Sequence, residues 1–192
     1  LFAIDLINDL PLNPWKNTLR KLFESGPDKL RKKILKTSWL NHDIISSETI
    51  SEKIKHKTQI QSDAILCAGD RKIFSCFSFL EELLNDQNLE IKSSSSISIL
   101  KMNNKHEKAK TILHELLNHK ENQIIAKTIT FLINSNNLID KKTILRLLSH
   151  DSLEVRRETI KVSGSYPSTD LINPLIRNLS ISSLFDDIVD AL

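Results

Sequence analysis

The chain has 192 residues, 40% hydrophobic and 27% charged, with 27 basic and 24 acidic residues for a formal net charge of +3. That is ordinary for a folded protein and long enough to bury a sizeable core, and so weakly basic a balance gives little support for nucleic acid as a partner. Three glycines and five prolines are too few for a sandwich or barrel built on tight turns and suit long helices. No apolar run approaches the ~18–20 residues that cross a bilayer, since the richest, Ile73 to Leu84, is broken by Ser75, Ser78, Glu81 and Glu82.

In chain order, Phe2, Leu6 and Leu10 mark an opening helix without a partner before it. Asn13-Pro14 reads as an N-cap followed by proline at the first helical position, with Trp15, Leu19, Leu22 and Phe23 on the apolar face. Gly26-Pro27 ends that helix and begins the next, which carries Leu30, Ile34 and Leu35. Ile50 and Ile54, then Ile60, Ala64, Ile65 and Ala68, make a second pair closed by Gly69 at a C-cap position. Ile73, Phe77, Leu80 and Leu84 lie at helical spacing and open a third pair. Its second helix contains Ser93 to Ser96, poor helix formers that read as a close-packed small-residue seam flanked by Ile91, Ile97, Ile99 and Leu100, with a frayed segment as the alternative.

The fourth pair runs from Asn104 through Ile112, Leu113, Leu116 and Leu117, then Ile124 to Ile133, before a turn cluster at Asn134 to Asn137. In the fifth, Asp140 caps a helix with Ile144, Leu145, Leu147 and Leu148, Asp151-Ser152 opens its partner and Gly164 closes it. Ser168 or Thr169 starts a sixth first helix whose Pro174 marks a kink or a late start, and Ile188 and Val189 belong to its partner.

One frame slides along these pairs. Leu22-Phe23, Leu83-Leu84, Leu116-Leu117 and Leu147-Leu148 each precede Arg31, Lys92, Ile125 and Arg156 by the same interval, with Ile60-Gln61 as a weaker copy. Leu30, Ile60, Ile91, Ile124 and Val155 stand 30, 31, 33 and 31 residues apart. A period of this size with two helices per unit predicts an all-α superhelix of about five antiparallel pairs plus partial end units, one continuous repeat domain over 1–192. Solenoids of this kind usually bind macromolecules rather than catalyse. The sequence reads as a piece of a longer chain, because it begins Leu-Phe and leaves apolar faces at both ends.

The stretch Leu147-Leu148-Ser149-His150-Asp151-Ser152-Leu153-Glu154-Val155-Arg156-Arg157 resembles a HEAT repeat, a family with an Asp in the turn and a Val-Arg pair at the start of the second helix. Asp151, Val155 and Arg156 match; Leu30-Arg31 matches the pair, though Gly26 stands where the Asp would be. The resemblance implies a right-handed stack with second helices lining an inner surface, and a scaffolding or binding role. Phe2 to Trp15 is similar to the start of the HEAT segment of some bacterial membrane proteins, in which a nucleotide-translocase-like transporter domain precedes the repeats and a cyclic-nucleotide-binding domain often follows. Neither flanking domain is in this sequence, so neither activity carries over.

Candidate chemistry is sparse. His114 and His119 suggest an HExxH zinc signature but are five apart, which turns their rings roughly 140° from each other; polar-face histidines explain them. His106 and His114 share a face without an acid to complete a site. Glu81-Glu82 and Asp186-Asp187 are adjacent and diverge as solvated pairs. Cys67 and Cys76 read as small apolar residues of a reduced, cytoplasmic protein, or of the soluble part of a membrane-anchored one. No catalytic residue, metal ligand, cofactor or small-molecule substrate is expected.

Arg31 and Arg156 are expected to serve as inter-repeat contacts, with an Asp such as Asp151 as partner, rather than to contact a ligand, because the equivalent places hold Lys92, Gln61 and Ile125. Lys29, Lys32, Lys33 and Lys36 fall on the outer stripe of their helix, which HEAT geometry would turn toward the inner groove. Carried on, the stripe reads Gln59, Ser62, Asp63, then Glu90, Ser93, Ser94, then Gln123, Ala126, Lys127, and finally Glu154, Arg157, Glu158 and Lys161. The basic character does not persist, so a phosphate track is disfavoured. A merely solvated face is the leading reading of the lysines; with Arg157 and Lys161 they are otherwise candidates for contacting a protein, a neighbouring domain or an anionic membrane surface. A nucleic-acid-binding solenoid similar to HEAT-like DNA glycosylases is the rival reading.

Overall fold

The computed structural model describes residues 13–38, 44–133, 135, 138–166 and 168–192. The expected opening helix through Phe2, Leu6 and Leu10, most of the Phe2–Trp15 likeness, and Asn134, Asn136 and Asn137 of the turn cluster lie outside them. Among the described residues the chain is all-α, without strands.

Twelve helices are described: α1 (Lys16–Ser25), α2 (Asp28–Ser38), α3 (Ser47–Lys55), α4 (Gln61–Asp70), α5 (Phe77–Leu83), α6 (Leu89–Met102), α7 (Glu107–Leu117), α8 (Asn122–Phe131), α9 (Lys141–Leu148), α10 (Leu153–Ser163), α11 (Ile172–Asn178) and α12 (Phe185–Ala191). Successive helices contact in pairs, α1 with α2 through α11 with α12. Links of two to six residues within each pair return the chain as hairpins. Six pairs therefore stand where about five and partial ends are expected. The sixth is short because 3₁₀ turns at Thr169–Leu171 and Ser182–Leu184 take up the start of each of its helices.

The chain divides into two compact units, one to Asn103 and one from Asn104. In the first, the second helix of each hairpin packs on the second helix of the next, α2 on α4 and α4 on α6. In the second, α8 packs on α10 and α10 on α12, while α9 also meets α11. The first helices bury one stripe, as Leu19 and Phe23 do on α1, Ile50 and Ile54 on α3, and Ile144, Leu147 and Leu148 on α9. That is the apolar spacing read from the sequence.

The contact of α4 with α6 is the most extensive in the molecule. Ser93 to Ser96 and Ser98 are helical and at most 1% exposed, so the serines form the seam rather than a frayed end. Ser94 Oγ donates to Ile91 O (3.0 Å), Ser96 Oγ to Ser93 O (2.9 Å), and Ser98 Oγ crosses to Ile65 O on α4 (2.8 Å). Small side chains let the two backbones approach. A Cβ on Gly69 would lie 2.6 Å from Ser98 Cα, and Gly69 lies inside α4, one residue before its last. Gly69 is thus a close-approach glycine, not a C-cap; the left-handed turn after the helix is taken by Lys72, with φ 52°.

Two other local expectations shift. Asn13–Trp15 is a 3₁₀ turn, and α1 begins at Lys16 with Trp15 at the N-cap and no side-chain cap; such turns are common at helix starts. In the fourth hairpin Ile125, not Ile124, is the buried position (2% exposed). The buried face of α8 runs Ile125, Thr128, Ile129 and on to Leu132, one residue later than the repeat frame. Pro174 sits in the first turn of α11, where its missing N–H has no helical partner to lose; this is the late start.

Candidate interaction surface

The ends of the first helices set the geometry. Terminal carbonyls of a helix lack intrahelical donors, and a side chain from elsewhere supplies one in four hairpins. Arg31 Nε donates to Phe23 O (2.9 Å) and Gln61 Nε2 to Ile54 O (2.8 Å), each within its own hairpin. Arg146 donates to Leu117 O (3.0 Å) and Asn178 Nδ2 to Leu148 O (3.3 Å), each from the following hairpin.

Arg31 therefore joins the two helices of one hairpin rather than two repeats. Its carboxylate partner is Asp28 at 3.2 Å, and its guanidinium lies 5.7 Å from the centre of the Phe23 ring. Arg156 reaches the next hairpin, donating to Asn178 Oδ1 at 3.4 Å. Asp151 is exposed in the turn, so the expected arginine–aspartate pair is replaced by arginine–asparagine. Asn178 is buried and already holds Leu148 O and Pro174 O, which fixes its side chain for Arg156.

The turns between paired helices repeat a second device. The N–H of the capping residue donates to a side chain two positions earlier: Asn88 to Asp86 (2.8 Å), Glu121 to His119 Nδ1 (3.1 Å) and Ser152 to His150 Nδ1 (3.1 Å). His106 Nδ1 accepts from Ala109 N–H (3.2 Å) as the N-cap of α7. His106 and His119 are thus turn acceptors, while His114 is exposed on α7. No group of three or more His, Cys, Asp or Glu suited to a metal occurs among the described residues. Cys67 and Cys76 are buried thiols, and Cys76 Sγ lies 3.0 Å from Ser51 Oγ.

The stripe read as a groove lining consists largely of rungs between neighbouring second helices. Lys32 Nζ on α2 lies 3.6 Å from Asp63 Oδ2 on α4, and Ser62 Oγ on α4 donates to Glu90 Oε1 on α6 (2.7 Å). In the second unit Thr130 Oγ1 on α8 donates to Glu158 Oε2 on α10 (3.0 Å). Arg157 Nε on α10 donates to Asp187 Oδ2 on α12 (3.2 Å), and the same guanidinium donates to Ser183 O (2.8 Å). Asp187 is therefore an ion-pair partner rather than half of a solvated pair. Lys161 returns to Glu158 on its own helix (2.8 Å). Ser62, Asp63, Ser93, Ser94 and Ala126 are buried, whereas Gln59, Gln123, Lys127, Glu154 and Lys161 are exposed. On α2, Lys29 and Lys36 are exposed and Lys33 is half-buried.

Further polar links tie the first helices and helix ends. Lys101 Nζ meets Asp70 Oδ1 at 2.6 Å, joining the C-terminal ends of α6 and α4. Lys141 pairs with Asp170, which raises the pKa of the amine above its usual value of 10.5 through the hydrogen bond first and the charge second. Spacing alone missed these rungs because each joins residues 22 to 31 positions apart. The signal that could have found them is complementary polarity at equivalent positions of consecutive repeats, as in Lys32 and Asp63.

The class defined by this geometry is an all-α protein whose two units are each built of packed helical hairpins. No helix among the described residues is long and apolar enough to cross a membrane. Compared with known proteins, the chain matches no family model, no curated protein and no solved structure.

Proposed function

We propose that this chain is a non-catalytic binding or interdomain-linking module built from HEAT-like helical repeats, contacting protein or neighbouring domains of a parent chain. The observation that carries the reading is the hairpin-to-hairpin packing of second helices in each unit, held by rungs such as Lys32–Asp63 and Arg157–Asp187. Stacked pairs present long surfaces to macromolecules. The residues with chemical potential are engaged in structure: His119 and His150 hold turns, and Arg31 and Arg156 hold helix ends. The HEAT-like resemblance of the fifth hairpin adds the superhelical handedness and, through the bacterial membrane-protein likeness, a place between other domains.

The test pairs a measurement in cells with one on the purified chain. Crosslinking of the native protein in its cells is expected to join it to protein, and titration with duplex DNA is expected to give no tight complex. Micromolar DNA affinity with a steep salt slope would instead establish the nucleic-acid class, and stoichiometric zinc in the purified protein would establish a metal site.

A further inference from the structure

We propose that the outward face of the sixth hairpin, α11 with α12, is the contact through which two copies of this chain associate. This rests on the binding-module reading and names a partner for it.

Comparison with the earlier second helices defines the face. Counted from Ser182, where the 3₁₀ turn leading into α12 begins, α12 stays in step with α10 counted from Leu153. The third residues, Val155 and Leu184, and the seventh, Thr159 and Ile188, are all 0% exposed. The eighth residues differ. Leu35, Ala68, Ser96, Ile129 and Ile160, on α2, α4, α6, α8 and α10, are each 0% exposed, whereas Val189 on α12 is 54% exposed. Phe185 and Leu192, one turn to either side of Val189, are 52% and 62% exposed. Their i, i+4, i+7 spacing puts the three on one stripe. On α8 the same stripe, Ile125, Ile129 and Leu132, is at most 2% exposed. On α10 the next hairpin reaches it: Arg156 donates to Asn178 Oδ1 on α11, and a Cβ on Gly164 would lie 2.9 Å from Ala191 Cα.

To this stripe α11 adds Ile172 and Ile176, exposed and four residues apart. Ile172 and Leu192 line the same surface cavity, so the two stripes converge where the start of α11 meets the end of α12. A hairpin that closes a stack to solvent carries a polar outer face. Five exposed apolar side chains on two adjacent helices are instead the mark of a protein contact.

Charge selects the occupant. Four carboxylate rungs run one way, with the cation or hydroxyl on the earlier second helix and the acid on the later: Lys32–Asp63, Ser62–Glu90, Thr130–Glu158 and Arg157–Asp187. Lys101–Asp70, at the helix ends, runs the other way. Lys32 and Arg157 are the fifth residues of their helices, and Thr130 is the ninth. On α12 the fifth and ninth residues, again from Ser182, are Asp186 and Asp190, both exposed. A further hairpin of the same pattern would set an acid against these acids. A second copy brings a cation. Arg177 is exposed beside Ile176 on α11, a helix without acids, and α12 is without bases. With two copies related by a two-fold axis, α11 of each against α12 of the other, Arg177 meets the partner copy's Asp186 and Asp190 twice over, and the apolar stripes close between them.

Sedimentation equilibrium of the purified chain from about 1 to 300 µM reads the association. The face is small, so the dimer is expected to form at micromolar rather than nanomolar concentration. Val189→Glu, at an exposed position, should keep the helical circular dichroism and weaken the dimer at least about 100-fold. The variants R177E and D186R/D190R should each weaken it about tenfold or more. An equimolar mixture of these two should regain the dimer, because only the mixed pair sets opposite charges at both contacts. Should V189E lose its helical signal, the mixture carries the test.

A monomer throughout that range overturns the proposal and reassigns the face to a helical hairpin of another protein or domain. A dimer that folded V189E leaves intact also overturns it, as does a mixture no better associated than either variant alone, or a mass that climbs past the dimer. Each of these leaves the module reading standing, which falls only to the DNA or zinc result above.

Discussion

Replacing Gly69 with alanine separates two explanations of that residue by sign. Gly69 has no positive φ and lies within α4, so on helix propensity alone the alanine should stabilise by about 1 kcal/mol. Its new Cβ, however, would stand 2.6 Å from Ser98 Cα and 2.7 Å from both Ser98 Cβ and Oγ. The nearest atom is backbone, so no rotamer change clears it and α6 must move. Overpacking of this kind costs about 1–3 kcal/mol. The shift also stretches the bond from Ser98 Oγ to Ile65 O, a further loss of about 1 kcal/mol. With the propensity gain subtracted, the substitution should destabilise by about 1–3 kcal/mol. Urea unfolding followed by far-ultraviolet circular dichroism, with the slope compared to detect loss of a single transition, measures it. A variant as stable as the parent, or more so, would refute the close approach of α4 to α6.

Three further outcomes follow from the same contacts. Ser95 Oγ is buried without a partner whereas Ser98 Oγ bonds to α4, so Ser95→Ala should stabilise and Ser98→Ala destabilise, each by about 1 kcal/mol in urea melts. Asp140→Ala should cost about 1 kcal/mol through loss of the cap. The Asp140 carboxyl is held below its ordinary value of 3.8, first by the hydrogen bond from Thr143 N–H. A depressed folded pKa stabilises fully above the unfolded value, and that share is lost as pH falls through the folded one. The difference between parent and variant should accordingly shrink in acid below the usual carboxylate range. His150→Ala should cost about 0.5–1.5 kcal/mol by freeing the Ser152 N–H. His150→Asp should recover most of it, because Asp86 accepts the same bond two hairpins earlier; equal thermal shifts for both variants would remove the turn from the account.

The helices were legible wherever one stripe is buried and the rest is wet. Leu19 with Phe23, Ile50 with Ile54, and Leu147 with Leu148 could be placed from three- and four-residue spacing, as could the caps Asp140 and Ser152. Spacing lost precision where a helix is enclosed. On α4, and on α6 from Ile91 to Leu100, nearly every position is buried, so no periodicity marks which side meets which neighbour, and Gly69 looked like a stop signal. The fourth hairpin slipped by one because Ile124 and Ile125 are both isoleucine, and composition cannot choose between adjacent identical residues. The candidate surface was legible only in part. Lys29 and Lys36 are exposed as the stripe implied, but the fate of Lys32 and Arg157 depended on Asp63 and Asp187. Those partners come from the adjacent repeat, and a single helix carries no record of them.

At the Gly69–Ser98 crossing two main chains touch with no side chain between them as a cushion. Soft side-chain layers let helices slide by small rotamer adjustments; a bare crossing offers none, because packed interiors barely compress. The second and third hairpins should therefore behave mechanically as one stiff beam under load. Any bending inside the first unit would concentrate at the joint between α2 and α4, where the longer side chains Lys32 and Asp63 form the link.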